Sequence, residues 1–261
     1  MYARCMAKAR PLPLAGCYVI SLRPVGAHDA MRRAAAAQGA RTLALSPWRI
    51  EVQADAANRR ALHETLRAEI VIATSPAAAR AASALHPLRM RRGQCWYAVG
   101  AGTAAALRRA GIADAVSPPR MDSEGLLALA GLRALRGREV GLLTAPGGRG
   151  LIATALRARG AKVLRADVYR RVEVALSPVS LSRLGALRAR SWLALSSGEA
   201  LQRVMPRLPA QLAERLLRAD VAAASERLAQ AAREAGFGGR VVVAASARPR
   251  DLVAAMAASI R

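Results

Sequence analysis

Small polar residues, glycines and one arginine follow several apolar runs of this sequence, at points where helices are predicted to begin. They are Thr74, Ser75, Gly100, Gly102, Thr103, Gly148, Arg149, Ser196, Ser197 and Gly198. The free amides and the positive dipole end of a helix N-terminus favour an anion. Hydroxyl groups at such a position either contact a ligand or only cap the helix, and both roles stay open here. The predicted chemistry is anion binding.

The turn around residue 148 also matches a dinucleotide-binding pattern. Gly148, Gly150 and Ala153 have the spacing G-x-G-x-x-A. Asp167 follows about 20 residues later, as the ribose-binding acid of such sites does. However, Pro146 occupies the turn that the first glycine of the pattern should make. We therefore favour a helix N-terminus that binds a different anion.

The other reactive residue types form no catalytic or metal-binding constellation. His28, His63 and His86 lack metal-ligand spacing and are expected at the surface or as helix caps. The three cysteines have no C-x-x-C spacing, so neither a zinc site nor a disulfide framework is predicted. A reducing cytoplasm fits this cysteine usage best, and no Ser-His-Asp order or paired-carboxylate motif occurs in the sequence.

The net charge of +24 indicates that the protein attracts polyanions. All but two of its 41 basic residues are arginine, beside much alanine, and this bias is typical of GC-rich coding. The longest basic cluster is Arg89–Arg92, and aromatic residues make up only 3% of the chain. Proteins that coat nucleic acid usually have longer basic runs and stacking aromatics, so specific nucleic-acid binding is not expected.

The sequence predicts neither a membrane span nor an export signal. No apolar stretch reaches the ~18 residues that a spanning helix needs. The segment PLPLAGC, from Pro11 to Cys17, resembles a lipoprotein cleavage box, but the apolar region before the cysteine is too short for a signal peptide. A cytoplasmic protein is therefore expected.

Nine short apolar runs alternate with alanine- and leucine-rich helical segments, which is typical of an α/β fold with parallel sheets. These runs are YVISL, RTLAL, EIVIAT, CWYAV, EVGLL, AKVLR, SWLAL, DVAAA and RVVVAA. At 261 residues the chain exceeds the usual ~100 to 200 residues of one domain. Two domains of similar size are expected.

The chain also repeats itself. The segment Val19–Val52 is similar in pattern to Gly141–Val174. Each has a predicted strand, a proline turn, a helix, Gly-Ala and a second strand, and each ends with R-[IV]-E-V. The similarity continues beyond both segments, so the sequence contains two versions of one ~120-residue module. Glu51 and Glu173 occupy equivalent positions in the two copies and are predicted to form ion pairs with nearby arginines.

Six segments, in their order and spacing, resemble the uroporphyrinogen-III synthase family. They are VISLRP, IATSPAAAR, YAVGAGTAAALRRAGI, SEGLLAL, GGRGLIATALRARGAKV and DVYRR. The resemblance covers nearly the whole chain, from about Cys17 to Arg261, and it implies two flavodoxin-like parallel-sheet domains joined by a two-stranded β-ladder hinge. Domain one would take residues 1–48 and 175–261, domain two residues 52–170, and the crossing strands residues 48–52 and 170–175.

The resemblance also implies the reaction. Members of this family cyclise hydroxymethylbilane, a linear tetrapyrrole with eight carboxylates, to uroporphyrinogen III, with loss of water and inversion of ring D. They need no metal or cofactor. The implied partner is this polycarboxylate substrate, with transfer from hydroxymethylbilane synthase, and the implied state is a monomer. A basic nucleic-acid-binding protein and a non-catalytic two-lobed anion-binding protein remain as alternatives.

Site residues follow from the same resemblance. Tyr169, in DVYRR, matches the family's recurring cleft tyrosine and would act as a weak general acid, with ring packing as the alternative. Arg23 and the ten turn residues named above would bind substrate carboxylates, and for Arg23 the alternative is a solvated arginine or one paired with a carboxylate. The sequence departs from the family pattern at Leu22, which replaces the usual threonine, and at Ala145, where arginine is frequent. Leu228, the repeat counterpart of Thr103, has no hydroxyl, so a threonine contact is not expected at the equivalent turn of the other copy.

Overall fold

The computed structural model describes residues 12–147 and 150–260. The chain divides into two compact units. Unit 1 contains the residues up to Arg49 and those from Glu173 onward, and unit 2 is Ile50–Val172. Each unit is built around a parallel sheet with helices packed on it.

Eleven strands are formed by the described residues: β1 (Tyr18–Ser21), β2 (Arg41–Ala44), β3 (Trp48–Val52), β4 (Ile70–Ala73), β5 (Cys95–Ala98), β6 (Glu139–Thr144), β7 (Lys162–Asp167), β8 (Tyr169–Glu173), β9 (Ser191–Leu195), β10 (Asp220–Ala223) and β11 (Val241–Val243). The α-helices of the same residues are α1 (Asp29–Ala36), α2 (Ala56–Arg67), α3 (Pro76–Leu85), α4 (Ala101–Arg109), α5 (Ser123–Ala128), α6 (Leu151–Ala158), α7 (Pro178–Ala186), α8 (Gly198–Val204), α9 (Ala210–Leu217), α10 (Glu226–Glu234) and α11 (Pro249–Ala258). All nine predicted apolar runs form strands, which confirms the predicted parallel α/β fold.

Unit 1 has a five-stranded sheet in the order β11-β10-β9-β1-β2. All four strand pairs are parallel, and Ser21 pairs with Ala44 on one side and Ala194 on the other. Numbered along the unit, this is the 2-1-3-4-5 order of flavodoxin-like sheets, whose topological switch point lies between the first and third strands. In unit 1 the switch point therefore lies between β1 and β9.

Unit 2 has a four-stranded parallel sheet in the order β5-β4-β6-β7. Its switch point lies between β4 and β6, which pair from Ile70 and Val140 to Ala73 and Leu143. Buried clusters cover both faces of this sheet. A Cβ at Gly141 would lie 2.2 Å from the carbonyl oxygen of Thr65, so only glycine lets α2 approach β6 this closely.

The chain passes from one unit to the other within β3 and β8, which pair as an antiparallel two-stranded sheet. The N–H of Gln53 donates to Val168 O at 3.0 Å, and the N–H of Val174 donates to Pro47 O at 3.3 Å. Two ion pairs flank this ladder.

The two repeated glutamates make these ion pairs. Glu51 binds Arg170 at 2.8 Å, and Glu173 pairs with Arg203. Both glutamates therefore serve as ion-pair partners, as their recurrence in the sequence predicts. Both pairs are substantially exposed, so each contributes little to stability. Separately, no helix of the described residues is long and apolar enough to cross a membrane.

Candidate active site

A polar crevice opens at the carboxyl ends of β4 and β6 in unit 2, at the switch point of the sheet. It has a volume of about 190 Å³. Its polar lining includes Thr74, Ser75, Thr144, Arg165 and Tyr169. Ligands of open parallel sheets bind in this kind of crevice, because the loops after the two central strands diverge there. Of the residues predicted from sequence, it brings together Thr74, Ser75 and Tyr169.

Ser75 and Tyr169 form a hydroxyl pair in this crevice. Ser75 is the N-cap of α3, and its Oγ accepts a hydrogen bond from the N–H of Ala78 at 3.0 Å. The same Oγ lies 3.1 Å from the phenolic oxygen of Tyr169, and either atom can be the donor. Tyr169 is only 3% exposed and its ring belongs to the core of unit 2. The two alternatives weighed for Tyr169, core packing and a hydroxyl in the site, therefore coexist in one residue.

Thr74 behaves differently from the predicted helix cap. Its hydroxyl donates to Leu143 O at 3.1 Å and lies 3.1 Å from the hydroxyl of Thr144. These bonds join the ends of β4 and β6 across the switch point, whereas Ser75 is the N-cap of α3. The cap interpretation is therefore wrong for Thr74. Thr74 precedes the N-cap residue Ser75, and its hydroxyl bonds to the neighbouring strand β6 and not to the amides of α3.

Arg165 is the most informative crevice residue that the sequence analysis missed. Its Nη2 donates to Ala145 O at 3.0 Å, and its Nε and Nη2 bind Asp167 at 3.0 and 2.8 Å. Asp167 therefore fixes a guanidinium beside Ala145, the position where the sequence lacks an arginine. Arg171 and Ser123 also line the crevice. The alternation of side chains along β7 could have drawn attention to Arg165. Whether Arg165 borders the crevice depends, however, on which strand lies beside β7, and the sequence alone does not show this.

The N-terminus of α6 borders the same crevice. Gly150 is the N-cap, with φ of 64° in the left-handed region that favours glycine, and among the described residues no side chain makes a cap hydrogen bond at this terminus. Gly147 also lines the crevice and has φ of 79°. The predicted site residues Gly148 and Arg149 lie outside the described residues. Uncapped amides beside a fixed guanidinium make this side of the crevice suitable for a carboxylate.

The turn before α4 does not contribute to the crevice lining. Gly100 is the N-cap of α4, and Gly102 and Thr103 lie inside the helix. A Cβ at Gly100 would lie 3.0 Å from the Cβ of Met121, so this glycine permits close packing. Thr103 is buried, as is its repeat counterpart Leu228.

In unit 1 the predicted site residues follow the carboxyl ends of β1 and β9, on either side of that sheet's switch point. Ser197 is the N-cap of α8 and accepts from the N–H of Ala200 at 3.2 Å. Ser196 precedes it, and Gly198 is the first residue of α8. Arg23 is half-buried, and its Nη2 donates to Ala247 O at 3.2 Å.

His28 differs from its predicted surface or capping role. It precedes α1 but makes no side-chain cap bond, and it is only 3% exposed. Its Nδ1 lies 3.0 Å from Ser21 Oγ and its Nε2 lies 2.8 Å from Ser46 Oγ. Burial, and then the charges of Arg32 and Arg23, lower the pKa of His28 from 6.5 to about 4. The imidazole is therefore neutral at pH 7 and joins two hydroxyls next to the end of β1.

The other two histidines, His63 and His86, are exposed, as predicted. Their rings approach with centroids 6.1 Å apart. Among residues 12–147 and 150–260, no group of three or more His, Cys, Asp or Glu side chains is placed to hold a metal ion.

Comparison with known proteins identifies relatives along most of the chain. The family model described as "Uroporphyrinogen-III synthase HemD" matches residues 29–254. The uroporphyrinogen-III synthase of Salmonella typhimurium is 34% identical over 160 residues, which are 58% of this chain and 65% of the relative. That of Escherichia coli is 33% identical over 144 residues, which are 54% of this chain and 58% of the relative. The chain thus matches less than two thirds of the length of each.

Two solved structures have a similar fold. A uroporphyrinogen III synthase variant from the extremely thermophilic bacterium Thermus thermophilus aligns with a TM-score of 0.59 and 21% identity, covering 94% of this chain and 100% of that one. The enzyme from Helicobacter pylori aligns with a TM-score of 0.58 and 15% identity, covering 94% and 99%. At these identities the likeness concerns the fold alone.

Proposed function

Because the chain belongs to the uroporphyrinogen-III synthase HemD family, we propose that it cyclises hydroxymethylbilane to uroporphyrinogen III, with loss of water and inversion of ring D. The observation that carries the proposal is the Ser75–Tyr169 hydroxyl pair in the switch-point crevice of unit 2. This reaction needs a proton donor near a departing hydroxyl and anion-binding groups around it. The hydroxyl pair and the basic groups beside it in the crevice support both roles.

The hydrogen-bond donors and acceptors available to the hydroxyl pair support a proton-donor role for Tyr169. Ser75 Oγ already accepts the N–H of Ala78, and its single proton can be donated to the phenolic oxygen of Tyr169. The phenolic proton is then free to donate to the hydroxyl that leaves the substrate. In this arrangement Tyr169 is the catalytic residue, and Ser75 is a positioning residue that holds the phenol.

Carboxylate binding is the second part of the proposal. Arg165, held by Asp167, and the uncapped N-terminus of α6 present positive charge and N–H donors on one side of the crevice. The proposed substrate-binding residues otherwise remain those of the sequence analysis: Arg23, Thr74, Ser75, Gly100, Gly102, Thr103, Gly148, Arg149, Ser196, Ser197 and Gly198. For a flexible substrate with eight carboxylates, such positioning supplies much of the catalysis.

The deciding test is a coupled assay in which hydroxymethylbilane synthase generates the linear tetrapyrrole in the presence of this protein. The product isomers are then separated by chromatography. We expect the type III isomer to dominate. The free tetrapyrrole closes spontaneously to type I, so type III is the product that distinguishes catalysis from the background reaction. An isomer ratio equal to that of the spontaneous reaction, from a folded protein, would reject the proposal and favour a non-catalytic anion-binding protein.

The nucleic-acid alternative has a separate test. The charge of +24 predicts that heparin or DNA binds at low salt and is released as salt rises. Turnover should nevertheless need no nucleic acid, so nuclease treatment should leave the rate unchanged. Loss of activity after nuclease treatment would favour the nucleic-acid-binding interpretation.

The setting of the reaction belongs to the same proposal. The protein acts as a monomer in the cytoplasm, without metal or cofactor, and receives its substrate from hydroxymethylbilane synthase. The odd, scattered cysteines support a reducing compartment. Analytical ultracentrifugation of the pure protein checks the oligomeric state, and substrate-channelling kinetics with the preceding enzyme check the transfer.

A further inference from the structure

A second crevice lies in unit 1, at the amino ends of β1 and β2. Tyr18 and Arg41, the paired first residues of these strands, line it together with Arg183 near the end of α7 and Arg188 in the following loop. Its volume is about 570 Å³. Ser196 follows the carboxyl end of β9 in the same parallel sheet. The second crevice therefore opens at the opposite ends of the strands from the proposed substrate-binding turns of unit 1.

The charge of this crevice is entirely positive. Three guanidinium groups line it, and none of its lining residues within the described chain is acidic. Arg41 Nη1 donates to the phenolic oxygen of Tyr18 at 3.3 Å, and Arg188 Nη1 donates to Gly185 O at 3.1 Å. Arg183 has no hydrogen bond or ion pair with any residue in 12–147 or 150–260. All three arginines are exposed, and Arg41 and Arg188 each donate a hydrogen bond to the protein while Arg183 retains all its donors.

The crevice also contains a buried hydroxyl without a partner. Thr42 lines it, and the Oγ1 of Thr42 is inaccessible to solvent and makes no hydrogen bond within the described residues. Almost all buried hydroxyls in proteins are hydrogen-bonded, because leaving one unpaired costs free energy. Because water does not reach this oxygen, a ligand in the crevice does not reach it either, so the guanidinium groups alone account for anion binding.

We propose that the second crevice binds a phosphate group of a small polyanion. Guanidinium groups bind phosphate oxygens in paired, charge-assisted hydrogen bonds, and three of them match a multiply charged anion better than a single carboxylate. The volume exceeds what one inorganic phosphate needs, so pyrophosphate or a phosphate ester fits the space. Because the crevice exists only in the folded protein, binding of the ligand there stabilises the folded state by mass action.

The test is calorimetric titration of the full chain with inorganic pyrophosphate at constant ionic strength, with adenosine diphosphate in a second series to distinguish a free phosphate from an ester. We expect saturable binding of one equivalent. Arg183→Ala should weaken binding at least about tenfold, since it removes a charge-assisted contact. Thr42→Val keeps the shape and should leave the affinity unchanged, because the ligand does not reach the buried hydroxyl of Thr42.

Arg109→Ala is the matched control, because it removes one exposed charge from α4 in unit 2 and Arg109 lies outside both crevices. If Arg109→Ala and Arg183→Ala weakened the affinity for pyrophosphate equally, binding would reflect only the general attraction of the positively charged protein for anions. That result would overturn the proposal. The absence of saturable binding by the unaltered protein would also overturn it. Neither result bears on cyclisation, which is measured separately.

Discussion

The hydroxyl oxygens of Ser75 and Tyr169 lie 3.1 Å apart although the residues are 94 positions apart in the chain. Ser75 follows β4 and opens α3, and Tyr169 is the first residue of β8. The contact links a helix cap to a residue of the strand that leads out of unit 2. A change in either hydroxyl should therefore affect the other, and this coupling is open to measurement.

Replacing Tyr169 by phenylalanine should lower kcat by at least about tenfold, because the variant retains the buried ring and loses only the proposed proton donor. KM and Tm should change little, since Ser75 Oγ keeps its bond to the N–H of Ala78. The remaining activity should still give the type III isomer. Steady-state kinetics with product separation provide the measurement. Full kcat would exclude the catalytic role, and a large fall in Tm would support packing alone.

Ser75→Ala should also lower kcat, because the phenol of Tyr169 loses the group that positions it. It removes an N-cap as well, at a cost of about 1 kcal/mol. Asp55→Ala is a matched control for the cap, since Asp55 accepts from the N–H of Asn58 at the start of α2, outside the crevice. Both variants should lose some Tm, but only Ser75→Ala should lose kcat. Combined with Tyr169→Phe, Ser75→Ala should have little additional effect. Additive losses would contradict the pairing.

Arg165→Ala should raise KM about tenfold with a smaller change in kcat. A guanidinium that binds a substrate carboxylate stabilises both the bound substrate and the transition state, so its loss weakens binding more than it slows the chemical step. Arg157→Ala, on the exposed face of the neighbouring helix α6, removes the same charge and should leave KM unchanged. Initial rates over a range of substrate concentrations separate the two. A KM that rises equally in both variants would indicate that only the overall charge matters.

The stability of the protein should decline as the pH falls from about 6.5 to about 4, because His28 is neutral in the folded protein and protonated in the unfolded chain over that range. The pKa of His28 is about 4 in the folded state, below the ordinary value of 6.5. The unfolded chain therefore binds more protons, and up to about 3 kcal/mol of stability is lost by pH 4. Urea unfolding at several pH values measures this loss. His28→Gln should have a shallower pH dependence, and an unchanged slope would contradict the assignment.

Residues 52–170, expressed alone, should fold, because they lie within the compact unit Ile50–Val172 and contain its complete four-stranded sheet. A dispersed amide NMR spectrum is the expected result. A fragment of residues 1–130 cuts β6 and β7 from that sheet and should not fold. The reverse outcome, with 1–130 folded and 52–170 disordered, would overturn the interleaved domain layout.

Particular residues show how far the sequence alone leads. The apolar runs and the repeat predict all nine strands of the two parallel sheets, since strand and helix periodicity is local information. Ser75 and Ser197 are recognisable as caps because small hydroxyl residues stand between a strand and a helix. Thr74 is misread, because its hydroxyl bonds across to β6 instead of to the helix beside it.

What the sequence determined by itself is therefore the type and order of the elements and the family to which they belong. Only the tertiary structure decided that Tyr169 meets Ser75, that Asp167 fixes Arg165 in the crevice, and that His28 is buried between two serines. The physical reason is that strand order and register bring together side chains that are distant in the chain. A single sequence records each residue's own preference for helix or strand, but it does not record which strand lies beside it.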